Sequence, residues 1–442
     1  MKGFARSLGV AAAVGAALLL SRSPFARARP GAIAGSPQVP SRALDPSFVI
    51  APTFERLEAM IADLEGPKDI ALLPQTYRGD LQIGRSVAIH GQDGTVLEGT
   101  GSSTVVSVRA NDVLIEDVAV RHSGHRQTTD DAGIKAKGER VRIARVNIQD
   151  TYFGISLEEC RDCSIDRAQI AGYGSDLELR GDGIKLWEAH GSSVRNCIVD
   201  HSRDVVVWYT RASILEDNVV RHGRYGTHFM YAHDAIVRRS HLENNVVGIF
   251  VMYSKRMKLE RNTLAGARGA AGIGLGFKDS DAIEASGNWL VANTAGMYFD
   301  NTPRTPADPV RFQGNVVALN DVALRLNGAD RGLSFRENEF RQNDQLVEVA
   351  GGGTALAVDL RKNHFSDYEG YDLNRDGIGD VAYEVKMLSS ELAKTRPAIK
   401  FFHGTAAMGL VDTIARAVPV FATKKLLVDP EPLVDAPPIE VP

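Results

Sequence analysis

The chain has 442 residues, of which 44% are hydrophobic and 24% charged, a composition typical of a folded protein and not of a disordered one. Its formal net charge of −4 provides no positive field for a polyanion, which argues against nucleic acid as a partner. The 42 glycines, set against only 3 tryptophans, suit many tight turns around a narrow core.

The N-terminus has the pattern of an export signal. Lys2 and Arg6 precede an apolar run from Leu8 to Leu20, and a small-x-small cleavage motif ends at Ala28. The run is shorter than the roughly 20 apolar residues that a membrane-spanning helix needs. We therefore predict a signal peptide over residues 1–28 and a periplasmic location, with a retained membrane anchor as the alternative.

Two short segments precede the repeats. Residues 29–46 carry several prolines and are predicted to be a flexible leader. The next segment is predicted to be a short amphipathic helix, because apolar side chains recur at helical spacing at Phe54, Leu57, Ile61 and Leu64. A helix in this place can cover the exposed edge of a solenoid as an N-terminal cap.

From about residue 81 the chain repeats a short unit. A small residue opens a run of alternating apolar positions in GIKL at 183–186 and GIFV at 248–251, and the glycines at 226, 248, 272 and 296 recur at a nearly constant spacing. Turn asparagines also recur, at Asn196, Asn218, Asn262, Asn288, Asn315, Asn338 and Asn363. The period is too short for two helices per repeat, and the alternation has period two, so the units are strands. We predict an all-β fold, a right-handed single-stranded parallel β-helix over residues 47–365.

The character of the sequence changes after the repeats. Residues 366–384 are acidic and glycine-rich, and are predicted to form a loop that resembles a calcium-binding loop. Residues 385–442 are predicted to form a helical and proline-rich tail. Its apolar stretch from Ala406 to Phe421 is expected to cap the C-terminal end of the solenoid or to dock on a partner.

Three cysteines allow one disulfide at most. Cys160 and Cys163 are spaced as CxxC, so in an oxidising compartment they are candidates for a disulfide that would leave one thiol over. The alternative is that they are small, partly buried turn residues, since a single CxxC is a weak metal motif.

Alignment of the strands by their glycines predicts which side chains point outward. Ile184 and Leu186 align with Val206 and Trp208 as inward positions. The first outward column is Lys185, Val207, His228, Phe250, Gly274 and Tyr298, and the second is Trp187, Tyr209, Met230, Met252, Gly276 and Asp300. Aromatic and sulfur-bearing side chains on an outer face predict a contact surface for a partner. Its predicted contact residues are Trp187, Tyr209, Phe250 and Tyr298.

Three residues of these columns form a soft ligand set. His228 and Met230 share one face of a strand, and Met252 follows Met230 at the same spacing as Gly248 follows Gly226, which places it one coil further on. One imidazole and two thioethers suit Cu(I). From the residues alone, a metal-free contact patch of methionine and aromatic side chains is the preferred interpretation, and a copper site is the alternative.

A second candidate metal site lies in the acidic loop. Asp372, Asn374, Asp376 and Asp380 place oxygen donors at alternate positions, with Gly377 at the sixth position, as in the first half of an EF-hand loop. Position twelve is Tyr383 in place of the usual bidentate Glu. We predict a structural Ca²⁺ site, with a solvated acidic turn as the alternative.

Few residues indicate catalysis. Asp130, Asp131 and Asp182 are candidate acids and Lys185 a candidate base for a sugar-cleaving β-helix. No spacing among them requires that interpretation, because turn carboxylates are common in solenoids.

The chain resembles the NosD family of periplasmic β-helix proteins over most of residues 48–435. The motifs that carry the resemblance are Asp130 to Ile134, Arg180 to Trp187, His228 to Tyr231, Met252 to Ser254, the loop from Asp372 to Asp380, and the tail from Val428 to Leu433. A generic β-helix shares the glycine and asparagine rhythm but not this ordered set.

The resemblance implies a non-enzymatic accessory protein for the maturation of nitrous oxide reductase. Proteins of this family work with an ABC transporter, made of an ATPase and a membrane subunit, in assembling the copper centres of that enzyme. A copper chaperone lipoprotein is the implied donor. His228, Met230 and Met252 then become the expected contacts with copper or with the chaperone. The competing hypothesis is a carbohydrate-active enzyme, a polysaccharide lyase or epimerase on the same fold.

Overall fold

Three parallel β-sheets extend along the chain between residues 49 and 365. The structure is a computed structural model and describes residues 45–174, 176–328, 331–350, 354–386, 397–402, 405, 407, 410 and 425–442. Within these residues, sheets A, B and C have 14, 13 and 12 strands, and strands that follow each other in one sheet come from successive coils. The predicted parallel β-helix is confirmed.

The strands are short, as a solenoid requires. Sheet A consists of Val49–Ala51, Asp69–Leu72, Ala88–His90, Leu114–Glu116, Arg142–Ala144, Ser164–Asp166, Ser193–Arg195, Ile214–Glu216, Ile236–Arg238, Lys255–Glu260, Asp281–Ser286, Val310–Gln313, Leu333–Arg336 and Asp359–Arg361. Sheet B consists of Thr76–Arg78, Val96–Glu98, Ala119–Arg121, Asn147–Gln149, Gln169–Ala171, Ile198–Asp200, Val219–Arg221, His241–Glu243, Thr263–Ala265, Trp289–Val291, Val316–Ala318, Glu339–Arg341 and His364–Phe365. Sheet C consists of Leu81–Ile83, Val106–Arg109, Ala132–Glu139, Phe153–Arg161, Ile184–Trp187, Asp204–Trp208, Tyr225–Met230, Val247–Met252, Ile273–Lys278, Ala295–Asp300, Val322–Asn327 and Gln345–Val349.

The core is a narrow column of apolar side chains enclosed by the three sheets. Phe229, Phe277 and Phe299 point inward from sheet C and are fully buried. The rings of Phe277 and Phe299 stack at a centroid distance of 5.4 Å, and Phe312 of sheet A meets Phe299 edge-on. Burial of one such side chain stabilises the fold by about 1.5–3 kcal/mol, so the stacked coils supply the apolar burial that one coil cannot provide.

Buried asparagines connect the coils through their side-chain amides. From Asn288 to Asn363, each amide oxygen accepts hydrogen bonds from the backbone N–H of the asparagine one coil earlier, and also from the side-chain amide of that residue. Stacked amides of this kind satisfy buried polar groups in both directions. We call this column the asparagine ladder; its members are Asn262, Asn288, Asn315, Asn338 and Asn363.

Asn196 is not part of the asparagine ladder, although the sequence analysis grouped it with the other turn asparagines. Asn196 lies in an exposed turn at φ 55°, and Cys197 occupies the buried position, where its N–H donates to Asn218 Oδ1. Asn218 in turn donates its N–H to Ser240 Oγ, and Ser240 donates its own to Asn262. The column therefore continues toward the N-terminus with mixed residue types.

The small residue that opens each strand of sheet C lies close to the next coil. A Cβ atom on Gly248 would lie 2.4 Å from the carbonyl oxygen of Gly274, so only glycine fits there. The sequence alignment placed Gly272 opposite Gly248, but in the structure Gly274 takes that position. The turn before strand Ile273–Lys278 is longer than the alignment assumed. In strand Asp204–Trp208 the small residue is replaced by Asp204.

Helix Phe54–Ala62 lies against the N-terminal coils. Its first turn is capped by Thr53, whose hydroxyl accepts a hydrogen bond from the backbone of Arg56. The buried face consists of Leu57, Met60 and Ile61. The helix ends before the predicted Leu64, which is exposed.

The C-terminal end is covered by residues that follow the acidic loop. Strand Lys425–Asp429 pairs antiparallel with Tyr383–Lys386, and Leu433 bridges to both His364 and Ile378. These residues cover the edge of the last coil. Of the predicted helical stretch from Ala406 to Phe421, all but residues 407 and 410 lie outside the described residues, and so do the predicted signal peptide and most of the leader.

Cys160 and Cys163 form a disulfide, and Cys197 is a free and buried thiol. The CxxC thus joins two residues of one turn region on sheet C. Within the described part of the chain, no helix has the length and apolar character needed to cross a bilayer.

Candidate functional site

In one coil of sheet C, the pairing register of the strand is shifted by one residue from the predicted register. Asp204 pairs with Tyr225 and Val206 with His228, so the longer partner strand contains a β-bulge between these two pairs. Because a shift of one residue exchanges the two faces of a strand, Val206 points outward and Val207 inward, opposite to the prediction. Trp208 likewise points outward.

Two further positions of the predicted columns change for the same kind of reason. Phe250 pairs with Gly276 and Met252 with Lys278, because strand Ile273–Lys278 is displaced by two residues relative to the glycine alignment. The observed outer column is therefore Trp187, Trp208, Met230, Met252 and Lys278. We call its first four residues the thioether column.

The structure brings His228 and Met252 into direct contact. His228 Nε2 lies 3.1 Å from Met252 Sδ across one coil. Met230 pairs in register with Met252 and shares the outer face of its strand with His228. The three residues predicted to form the soft ligand set are thus neighbours on two adjacent coils.

The imidazole of His228 is buried although it points away from the core. It is 8% exposed, because it stacks on Tyr225 at a centroid distance of 4.6 Å and meets Trp208 edge-on at 5.4 Å. Burial lowers the pKa of His228 to about 4, since removal of water penalises the charged ring. The ring is therefore neutral at ordinary pH, and a neutral imidazole is the form that binds metals.

The second nitrogen of His228 has no partner. Among the described residues, His228 Nδ1 and Trp208 Nε1 are buried without a hydrogen bond. A ring without a fixed tautomer is free to offer Nε2 as a lone-pair donor beside the thioether of Met252. Because a thioether selects Cu(I) and an imidazole binds copper ions in general, this donor pair fits the predicted copper site.

Sequence reasoning missed a stack of tyrosines beside the thioether column. Tyr209, Tyr231 and Tyr253 follow three successive strands of sheet C, and each has a positive φ. Their rings stack at centroid distances of 5.3 and 5.0 Å, and Trp187 lies 5.0 Å from Tyr209. The signal was present in the sequence, since the three tyrosines recur at an even spacing of one repeat. We call this set the tyrosine stack.

Of the predicted contact residues, Trp187 and Tyr209 are more accessible than Phe250. Phe250 is only 9% exposed, because Gly276 on the next coil leaves room for its ring to lie flat. Tyr298 follows at a centroid distance of 6.3 Å. Tyr209 is 38% exposed, but it lies in the turn after the strand and not in the outer column where it was predicted.

Of the candidate catalytic groups, only Lys185 and Asp130 pair with each other. Lys185 Nζ lies 2.5 Å from Asp130 and 3.5 Å from Glu158. Asp182 is buried beside Arg203, and burial raises the pKa of Asp182 to about 6 against the opposing effect of that arginine. Asp131 accepts hydrogen bonds from Arg126 and Thr129, apart from this group.

The acidic loop folds around its own carboxylates. Asp372 accepts hydrogen bonds from the backbone N–H groups of Arg375 and Gly377, and Asp380 accepts one from that of Leu373. Asn374 and Asp376 are joined through the side-chain amide and carboxylate. The four predicted ligands belong to one compact turn, in which Asp372 is half-buried and the other three are exposed.

Comparison with known proteins supports the sequence resemblance. Residues 164–370 match the family model described as "Periplasmic copper-binding protein (NosD)". A protein of Stutzerimonas stutzeri named "Probable ABC transporter binding protein NosD" is 24% identical over 382 residues, covering 82% of this chain and 85% of the relative. A protein of the same name from Pseudomonas aeruginosa is 25% identical over 418 residues, covering 88% and 93%. Together these matches support membership of the NosD family.

Solved structures share the fold at low identity. The A-module of mannuronan C-5 epimerase AlgE6 from Azotobacter vinelandii is 12% identical with a TM-score of 0.50, covering 73% of this chain and 97% of that one. The catalytic unit of the GH87 α-1,3-glucanase from Streptomyces thermodiastaticus is 15% identical with a TM-score of 0.54, covering 74% and 68%. Such likeness shows the β-helix alone, because one fold hosts many activities.

The NosD family match includes the proposed donors on sheet C but not the predicted calcium ligands. His228, Met230 and Met252 lie inside the matched region, which ends at residue 370, before Asp372. The family description refers to copper and to the periplasm, and so agrees with the soft donors found on this face.

Proposed function

We propose that the chain is a periplasmic accessory protein that handles Cu(I) during the maturation of nitrous oxide reductase. It works with an ABC transporter, made of an ATPase and a membrane subunit, and receives copper from a chaperone lipoprotein. The observation that carries the proposal is the 3.1 Å contact between His228 Nε2 and Met252 Sδ, made by a buried neutral imidazole. The names of the relatives, which refer to an ABC transporter, support the partner.

Copper is cargo in this proposal and not a resident cofactor. Thioethers bind Cu(I) well and bind Cu²⁺ and Zn²⁺ poorly. Met230 and Met252 are half-buried, so an ion held by them remains within reach of a partner protein. The site thus combines selectivity for the reduced ion with an open side for transfer.

The surface around the donors suits a protein partner. The tyrosine stack lies beside the thioether column and contacts its first residue, Trp187, so that together they form an aromatic strip that is partly exposed. Aromatic side chains supply large contact areas at a small cost in conformational entropy. We assign this strip, together with Tyr298, to docking of the copper chaperone.

Replacement of both Met230 and Met252 by Leu tests the copper site. Leucine keeps the apolar area and approximate volume but removes the sulfur donors, so the fold is expected to survive. Purified variant should lose Cu(I) in competition with a chelator, and nitrous oxide reductase matured with it should be copper-poor. The matched control is Met257→Leu with Met297→Leu, two buried methionines of the core that should leave Cu(I) affinity unchanged.

Full maturation of nitrous oxide reductase by the double Leu variant would contradict a role for the thioethers in copper binding. If Met→Asp variants at the same two positions then blocked maturation, the face would be a docking surface and the copper ligands would lie elsewhere.

A carbohydrate-active enzyme is the second candidate function. The observation in its favour is the buried acid Asp182, whose pKa near 6 suits a general acid and which interacts electrostatically with Lys185, the partner of Asp130. The proposal requires that Asp182→Asn leaves copper delivery intact. Cleavage or epimerisation of a uronate polymer by the wild type, lost in that variant, would favour the enzyme instead.

We also propose that the acidic loop binds Ca²⁺ as a structural ion through Asp372, Asn374, Asp376 and Asp380. The alternating oxygen donors and the turn at Gly377, which has φ 84°, support the proposal.

A further inference from the structure

Two histidines from successive coils meet one carboxylate at the turn between sheets B and C. Asp200 ends strand Ile198–Asp200 and His201 follows it, while His222 takes the same turn position one coil later. The Nδ1 atoms of His201 and His222 lie 2.6 and 2.8 Å from the same Asp200 oxygen, Oδ1. The two rings are 4.6 Å apart between centroids.

This grouping stands out in the molecule. Among the described residues, it is the only set of three or more His, Cys, Asp or Glu side chains with all its ligand atoms within 4.8 Å of one another. Neither the face of sheet C nor the acidic loop forms such a set. The proposed function uses none of these three residues.

The distances suit adjacent ligands on one ion. Metal–nitrogen bonds of about 2.0 Å and metal–oxygen bonds of about 2.1 Å at right angles place the two ligand atoms about 2.9 Å apart. The separations of 2.6 and 2.8 Å in the structure are close to that value. The ligand atoms of the three residues are therefore close enough together to bind one ion.

The surroundings hold the carboxylate and leave the ion accessible. Asp200 is buried, and Arg221 Nε donates to its other oxygen, Oδ2, at 3.0 Å, which orients Oδ1 toward the histidines. The side chains of His201 and His222 are 55% and 39% exposed, so water can complete the coordination. Arg221 also sets a limit on affinity, since a neighbouring cation opposes a second one.

We propose that Asp200, His201 and His222 bind a divalent transition-metal ion, Cu²⁺ or Zn²⁺. Two imidazoles and one carboxylate form a ligand set of the nitrogen and oxygen class, which those ions prefer and which Cu(I) does not. The order of divalent affinities predicts that Cu²⁺ binds more tightly than Zn²⁺. The inference goes beyond the proposed function, because it needs neither a thioether nor a partner.

The test is titration of the metal-free full-length protein with Cu²⁺, followed by electron paramagnetic resonance. We expect one tightly bound ion with couplings to two imidazoles, displaced only by an excess of Zn²⁺. His201→Asn and His222→Asn should each weaken Cu²⁺ binding by more than the roughly 10- to 100-fold that loss of a supporting residue costs. Asparagine is the replacement of choice because Asn244 takes the same turn position in the next coil, at φ 54°.

The matched control is His122→Asn. His122 takes the same turn position in an earlier coil and pairs with Asp150 at 3.1 Å, but it is a single histidine. Equal loss of binding in this control, or unchanged binding in His201→Asn, would overturn the proposal. Spectra of the wild type with no imidazole coupling would overturn it without any variant. Cu(I) competition should be normal in His201→Asn, which separates this site from the one around His228.

Discussion

At the scale of single residues, His228 shows how burial prepares a side chain to bind a metal. Tyr225 and Trp208 exclude water from the ring without a hydrogen bond to it. An ordinary imidazole is half-protonated near pH 6.5, and protons then compete with the metal. The environment of His228 removes that competition at pH values well below 6.5.

The depressed pKa of His228 predicts acid sensitivity of the fold. The folded value is about 4 and the unfolded value 6.5, so between these values the unfolded chain binds more protons. The contribution of His228 to the free energy of unfolding is complete above pH 6.5 and is lost as the pH falls toward 4. The total loss is about 3 kcal/mol. Urea unfolding at pH 7 and pH 4.5 measures it.

The control for this pH dependence is His228→Phe. Phenylalanine occupies the same column one coil later as Phe250, and it does not titrate. The variant should lose less stability on acidification than the wild type. An identical loss in both proteins would assign the acid sensitivity to other groups.

The sequence predicted that the proposed copper ligands are neighbours, but it did not predict the orientation of the residues around them. The spacing between Met230 and Met252 matches one coil, so their pairing could be predicted. The β-bulge at Asp204 could not, because a register shift leaves no periodic signal, and it exchanged Val206 with Val207 and moved Trp208 to the outside. The pairing of His201 with His222, one coil apart, was not predicted, since the turn that holds them was not aligned.

At the scale of elements, the asparagine ladder explains why the fold was predictable. A buried amide is needed at one position of every coil that the ladder joins, however long the loops between those positions are. The repeating asparagine is therefore visible in the sequence, whereas the loop that takes up additional residues is not. The glycine alignment failed at Gly272 for this reason, because the longer loop before Gly274 displaced the next strand by two residues.

The acidic loop predicts an effect of chelation on stability. An ion bound only by the folded state stabilises it, so removal of Ca²⁺ by a chelator should lower the Tm by about 2–5 °C. Asp376→Ala should melt at the lower temperature and no longer respond to chelator. Asp93→Ala, which removes an exposed turn carboxylate elsewhere, should keep the response. A wild-type Tm that is the same with and without chelator would leave the loop as a solvated turn.

At the scale of the whole molecule, the two ends of the solenoid are closed differently. A short helix covers the first coils, and an antiparallel strand pair and an extended segment cover the last. An unpaired edge of parallel strands is a template for association with another chain. The covers therefore keep a long solenoid from growing end to end.

Asp429 is the residue where the C-terminal cover meets the core. Its replacement tests how much this contact contributes to the stability of the fold. Asp429 accepts hydrogen bonds from both the backbone and the side-chain amide of Asn363. Asp429→Ala leaves these donors unsatisfied and should lower the free energy of unfolding by about 1–3 kcal/mol. Asp429→Asn retains an acceptor and should cost less; chemical denaturation compares the two. Equal losses would show that the amide contacts at this end contribute little.

The asparagine ladder also gives the solenoid an electrical direction. Along the ladder, each NH₂ group donates to the side-chain oxygen of the next coil, so the amide dipoles add along the axis. Hydrogen bonds in such a row polarise one another. The positive end of the row lies at Asn363, and the group that receives it is the carboxylate of Asp429. The last amide is thus terminated by an anion, as the N-terminus of an α-helix is by an acidic cap.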